Sequence, residues 1–169
     1  MKLYAEIINQ DTKECRVINQ VEAENLGWIK YDLEVGYDCK FYLQGYAPLQ
    51  PLDELKQAKL VELKFMRDTL EVAPISYKGN SFDYDEKARD RINAAIIALD
   101  MQSALSGSEA SLSWTTADNT EAEVTANDLR GIIANVALRS NELHIKYREL
   151  KELVDAVTTK EELEAIQWA

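Results

Sequence analysis

The sequence is poor in the residues from which reaction centres and metal sites are usually built. It has one histidine, His144, and two cysteines, Cys15 and Cys39. A single imidazole excludes any catalytic or metal site that needs two. A Ser/His/Asp or Cys/His nucleophile system would have to run through His144. That residue lies mid-helix beside Leu143, where a partly exposed, packing or hydrogen-bonding histidine is the plainer reading. Two cysteines make neither a disulfide framework nor, without further ligands, a zinc site. Two strand cysteines could lie close enough to bridge, but the plainer reading is two small buried apolar side chains. No phosphate-cradling loop is present, since 78–81 carries one glycine and no Walker spacing, and the EF-hand pattern is absent. The longest unbroken apolar run, 94–99, falls far short of the ~20 residues a membrane-spanning helix needs. An acid at Glu6 is not what a signal peptide offers. Positive charge is scarce as well. Nineteen Lys and Arg stand against thirty Asp and Glu, for a net charge of −11. Such a surface repels phosphate backbones and anionic lipid, which argues against nucleic acid and membranes as partners.

What is present is an ordinary globular composition over 169 residues, 46% of them hydrophobic. That length forms one domain or two small ones, and a compact chain of this size buries about 70% of its unfolded surface. Residues 1–50 are rich in β-formers. Segments 2–8 and 14–18 flank the turn-type cluster 9–13 and predict a β-hairpin. Segment 39–43 predicts a further strand, stopped by Pro48 and Pro51. Residues 20–35 are ambiguous: 21–26 could be a short helix, and 33–35 either helix or strand.

From Leu52 the pattern becomes helical. Leu52, Leu55, Leu63, Met66, Leu70 and Ala73 recur along one face, and Pro74 closes the segment. Residues 75–81 read as a loop around Gly79-Asn80. Asp83 is the expected N-cap of the next helix, with Glu86 completing a capping box. Its core face is Ala88, Ile92, Ala95, Ile96 and Leu99, and Asp85 and Arg89 form an i,i+4 pair on the solvent side. Segments 112–115 and 120–125 flank Ala117-Asp118-Asn119 and predict a second hairpin. The final long helix is the most regular feature. Leu129, Ile133, Val136, Ser140, Leu143, Tyr147, Leu150, Val154 and Val157 form a heptad seam, widened by Ile132, Ile145 and Leu153. Thr125 and Asp128 mark its start, and Thr159 to Glu162 opens a short last helix. The fold class is therefore α+β. It comprises a small antiparallel β-domain over 1–50, a linking helix over 51–74, and a helical domain over 75–169 with an inserted hairpin and a long C-terminal helix.

Three features carry two readings each. Asp83, Asp85, Glu86 and Asp90 could hold a calcium ion weakly, or cap and charge a helix N-terminus where the dipole favours anions. Tyr31, Tyr37, Phe41, Tyr42 and Tyr46 crowd one short stretch. Tyrosine is enriched at protein interfaces, but aromatics also fill the thin core of a small β-domain. The heptad seam can pack within the chain or drive a homo-oligomer through the C-terminal helix; its widened stripe favours packing in a bundle.

Residues 75–169 resemble a domain family of bacteriophage tail-fibre and tail-fibre-assembly proteins. The resemblance rests on an ordered series: Gly79-x-x-Phe82-Asp83, Arg91-Ile92, Trp114, Thr125-x-x-Asp128-Leu129, His144-x-x-Tyr147-Arg148, Thr159-x-Glu161-Glu162-Leu163 and Ile166-x-Trp168. The run from Tyr37 to Pro48 resembles short proteins encoded beside fibre genes in prophages, a group that commonly has glycine where this chain has Cys39. The resemblance implies a tail-module role without catalysis, cofactor or metal. It implies a fibre or tail protein as partner, in the bacterial host cytoplasm during assembly or in the mature tail. On this reading an assembly chaperone is expected, with a structural tail or fibre subunit as the alternative. The interface residues to look for are Tyr37, Phe41, Tyr42, Tyr46, Leu143 and Tyr147, the last paired with His144 as a packing or interface feature.

Overall fold

A computed structural model describes residues 1–168 and has the α+β architecture. Its backbone divides into two units, Met1–Leu55 and Lys56–Ala169.

In the first unit, β1 (Lys2–Ile7) and β2 (Glu14–Val17) form the expected hairpin, in register Ala5↔Val17 to Ile7↔Cys15. Asn9 shapes its loop by accepting from the amides of Asp11 and Thr12. A short helix, α1 (Gln20–Leu26), follows. Asn19 caps its first turn and Gly27, at φ +69°, ends it, the left-handed stop that glycine adopts without strain. Then come β3 (Lys30–Val35) and β4 (Phe41–Leu43). The ambiguous segments thus resolve as one helix and one strand. The ring closes because β1 changes partner along its length. Lys2 to Tyr4 pair with β3, whereas Ala5 to Ile7 pair with β2. The closed order is β1-β2-β4-β3. Alternation sends Leu3, Ala5, Ile7, Cys15, Val17, Leu33, Phe41 and Leu43 inward, with Ala5, Cys15 and Leu33 fully buried.

The expected strand start at Cys39 is corrected. Cys39 sits in the β3–β4 turn at φ +63°. The Gly36 amide donates to the Lys40 carbonyl at 2.8 Å and the Cys39 amide to the Gly36 carbonyl at 3.0 Å. A three-residue hairpin loop ends in a left-handed residue, normally glycine.

The second unit is organised around one long helix. It contains most of α2 (Leu52–Glu71), the hairpin β5 (Ile75–Tyr77) and β6 (Asn80–Phe82), α3 (Glu86–Ser106), the hairpin β7 (Ser111–Thr115) and β8 (Glu121–Thr125), α4 (Ala126–Ala156) and α5 (Lys160–Ala165). At ~1.5 Å per residue, α4 is about 45 Å long. Its N-terminal half packs on α3 and the hairpins, around Phe82, Ile92, Leu99, Trp114, Val124, Leu129 and Ile132. Burying such side chains is worth about 1.5–3 kcal/mol each. Its C-terminal half runs antiparallel to α2. Arg67 lies over the Tyr147 ring at 4.8 Å, and Lys56 donates to the Asp155 carbonyl at 2.9 Å. Thr125 is the expected N-cap of α4 and forms a capping box with Asp128, and Thr159/Glu162 forms the expected box on α5.

Two expectations fail here for identifiable reasons. The 75–81 segment is a hairpin, not a loop: Lys78 and Gly79 both have positive φ, the conformation of a two-residue hairpin turn. The α3 N-cap is Asp85, whose carboxylate accepts from the Ala88 amide at 2.7 Å. Phe82 belongs to β6 and Tyr84 packs on the core, so the chain turns into the helix two residues later than Asp83. Asp85 is thereby committed to its cap, and no ion pair joins it to Arg89 among the described residues.

Candidate interaction surface

The six residues expected at an interface separate sharply by exposure. Tyr37 and Tyr46 are 45% and 55% exposed. Tyr42 is buried, Phe41 lines the barrel core, and Leu143 and Tyr147 are half-buried. The crowded aromatic stretch therefore serves both readings at once, with Phe41 and Tyr42 inside and Tyr37 and Tyr46 outside.

Both exposed tyrosines sit on loops fixed by a carboxylate. Tyr37 is in the β3–β4 turn beside Asp38. The Tyr42 hydroxyl donates to Asp38 Oδ2 at 2.8 Å, and Asp38 Oδ1 accepts from the Lys40 amide. The Tyr42 ring covers Gly36, where an added Cβ would come 2.7 Å from ring and carboxylate atoms. Desolvation pushes the Asp38 carboxyl up, but the bonds from Tyr42 and Lys40 outweigh it and hold it below the usual range. The same bond from Tyr42 to the anion pushes the phenol up to about 12. Tyr46 is in the loop after β4. Glu34 Oε1 accepts from the Gly45 and Ala47 amides, both at 2.8 Å, and Oε2 from Gln44 at 3.3 Å. Each tyrosine is thus presented on a fixed backbone. On the same unit a groove of about 380 Å³ is lined by Trp28, Ile29, Tyr31 and the outer edge of β1, with Arg16 over Trp28 at 5.6 Å.

In the second unit the polar groups converge on Glu71 at the end of α2. Its Oε1 accepts from Ser140 Oγ at 3.0 Å and lies 2.9 Å from His144 Nε2. Hydroxyl and imidazole bond the same carboxylate oxygen, so the imidazole is not placed to take the hydroxyl proton. Arg139 donates to the carbonyls of Glu71 and Ala73, both at 2.8 Å, and of Pro74 at 3.2 Å. It supplies the cap that α2 lacks in its own last turn. A cleft of about 440 Å³ opens beside this corner, bounded by Tyr84, Arg89, Ile133, Val136 and Ser140. Cys15 is buried and Cys39 exposed, and neither is bonded. Burial pushes the Cys15 thiol up. Among the described residues no three His, Cys, Asp or Glu side chains gather to hold a metal. No described helix is long and apolar enough to cross a membrane.

The heptad seam packs within the unit. Leu129, Val136, Leu150 and Val154 are buried and the other seam residues half-buried. Exposed apolar surface lies elsewhere. On α2, Val61 and Phe65 are 69% and 68% exposed. On α3, Ala94, Ile97, Ala98, Met101, Ala104 and Leu105 are all exposed, on the side of the helix away from the core residues Ala88, Ile92 and Leu99. Sequence reasoning missed this second face, although its signal was present. The uninterrupted apolar run 94–99 covers more than a full turn of helix, so it puts apolar groups on every side.

Residues 54–167 match the family described as Domain of unknown function (DUF4376). The match covers more than half of the chain, and the chain belongs to that family. Its start falls beside the boundary after Leu55, so the family domain is the second, helical unit. Comparison with curated proteins and with solved structures gave no match.

Proposed function

We propose that this chain is a tail-fibre-associated protein of a bacteriophage or phage-tail-like particle, acting as a non-enzymatic assembly chaperone that binds the fibre. The phage setting comes from the ordered residues of 75–169 and of 37–48 described above. The observation that carries the binding role is the pair Tyr37 and Tyr46, exposed on loops that Asp38 and Glu34 hold in place. Aromatic side chains offer large contact area with few rotors, and a fixed loop loses little entropy on binding. Fibres are rich in non-local β-contacts and fold slowly, so a small acidic partner on an exposed fibre end would limit aggregation in the host cytoplasm.

Retention in the particle as a structural tail or fibre subunit is the second reading. Its strongest driver was a coiled coil through the C-terminal helix, and the seam of that helix is occupied within its own unit. That favours the chaperone.

Co-expression with the fibre encoded alongside provides the test. The wild-type chain should co-purify with the fibre and raise its soluble yield, and Tyr37→Ser/Tyr46→Ser should lose both effects while staying folded. A double variant that binds as well as wild type would overturn the role of this surface. Mass spectrometry of purified particles separates the two readings: a chaperone is absent from them, and a structural subunit is present at a fixed ratio to the fibre.

A further inference from the structure

We propose that the outer face of α3 is a self-association surface on which a second copy of this chain docks antiparallel about a two-fold axis. The inference is independent of the fibre-binding reading, which uses the other unit. Ile97, Met101 and Leu105 are 62%, 63% and 88% exposed, and Ala94, Ala98 and Ala104 fill the spaces between them. Together they offer on the order of 500 Å² of apolar surface, near the upper end of what a monomer leaves uncovered. Two copies closed on this face bury on the order of 1,000 Å², the lower bound for a specific interface.

The occupant follows from the pattern of the stripe. A two-fold contact must be complementary to itself. With the helices antiparallel, Ala94 faces the partner's Leu105 and Ala98 faces the partner's Met101, so Met101 and Leu105 each meet an alanine in both directions, while Ile97 falls opposite the partner's Gln102. The two ends of the stripe also match. Ala94 and Leu105 lie about 16 Å apart along the axis. Beyond Ala94 an open groove of about 670 Å³ continues between Lys87, Asp90 and Arg91, placed to take the partner's Leu105. The α3 C-terminus has no basic residue in its last turn and carries the negative end of the helix dipole. The antiparallel arrangement sets that end against Lys87 and the positive end of the other copy's helix dipole, in a lining that also carries Asp85, Glu86 and Asp90 and an Arg91 stacked on Trp114 at 4.8 Å. Lys87 has no ion-pair partner among the described residues. The net charge of −11 opposes pairing, so association should tighten as salt screens the repulsion.

Sedimentation equilibrium of the full chain across a concentration series, at low and high salt, tests this. A monomer–dimer equilibrium that tightens with salt is expected. Met101→Asp, on an exposed position that leaves the core intact, should weaken it by roughly 30-fold or more. Ala94→Cys/Leu105→Cys, in a Cys39→Ser background, fixes the register, because each cysteine then faces its counterpart on the other copy: mild oxidation should give a covalent dimer, and Leu138→Cys, exposed on α4, should not. A chain that stays monomeric up to millimolar concentration would overturn the proposal. So would a dimer indifferent to Met101→Asp, or one cross-linked equally well from position 138.

Discussion

The two units keep their shapes by different means. The barrel has few fully buried side chains, Ala5, Cys15 and Leu33 in its core. Its loops are tied by polar bonds: Asn9 to two amides, Glu34 to two amides and a side chain, Tyr42 to Asp38, and the N-terminal ammonium to the Leu33 carbonyl at 2.7 Å. A unit of this size buries too little apolar area to rely on its core alone. The helical unit surrounds nine buried residues with seven more half-buried ones, and still leaves a whole face of α3 apolar and uncovered. The lesson is that apolar content beyond what a core can absorb identifies a contact surface better than a regular pattern does. The heptad seam of α4 is regular and internally satisfied, whereas α3 breaks amphipathic order and has apolar surface to spare.

The largest effect is expected in the helical core. Leu129→Ala removes a fully buried side chain and should cost about 2–5 kcal/mol in urea unfolding. Leu105→Ala, on the outer face of α3, should change monomer stability by less than about 0.5 kcal/mol. Comparable costs would mean that the outer face is part of the core. Gly131→Ala comes next. Helix propensity favours alanine by about 1 kcal/mol, but a Cβ there would come under 3 Å from the Tyr77 ring. Overpacking should win, for a net loss of about 1–2 kcal/mol. In a Tyr77→Ala background the same change should become stabilising, and a double-mutant cycle measures the reversal.

The barrel should answer to its turns instead. Cys39→Gly relieves a left-handed non-glycine backbone, worth about 1–2 kcal/mol, against the greater freedom of unfolded glycine, about 0.5–1 kcal/mol. A gain of about 0.5–1 kcal/mol in the melting of the barrel is expected. The smallest effect is a pH signature. Asp38 is held below its ordinary value, so its contribution is complete above the unfolded pKa and is lost as pH falls through the folded one. Tyr42 is raised from 10.0 to about 12. Its contribution is therefore complete below 10.0 and lost as pH rises through about 12. Tyr42→Phe should flatten both limbs of the barrel's stability profile and leave that of the helical unit unchanged. Limbs that persist in the variant would place the titration elsewhere.

Much of this fold was legible because its signals are local. Thr125/Asp128 and Thr159/Glu162 satisfy their own helix ends, and Ala117-Asp118-Asn119 sits between two alternating runs. What was missed depends on distant partners. Asp83 and Asp85 are equivalent as caps until Tyr84 is known to pack on the core. Gly131 looks like a defect in α4 until the Tyr77 ring is laid across it. The interface residues were half legible for the same reason: composition gathers aromatics into 31–46, but only the closed ring decides that Phe41 and Tyr42 turn inward while Tyr37 and Tyr46 turn out. Burial on one side of α3 could be read from its spacing, but the emptiness of the other side could not.

Arg139 sets a timetable. It caps α2 from 68 residues further along the chain, through the Glu71 carbonyl. Ribosomes add about 5–20 residues per second, so the end of α2 is made several seconds before the guanidinium that finishes it. During that interval Leu63 and its neighbours have no α4 to pack on, and the nascent helix frays from its C-terminal turn. The helical unit can therefore close only once its last-made long helix is available, and until then the end of α2 passes through a short period of exposure on the ribosome.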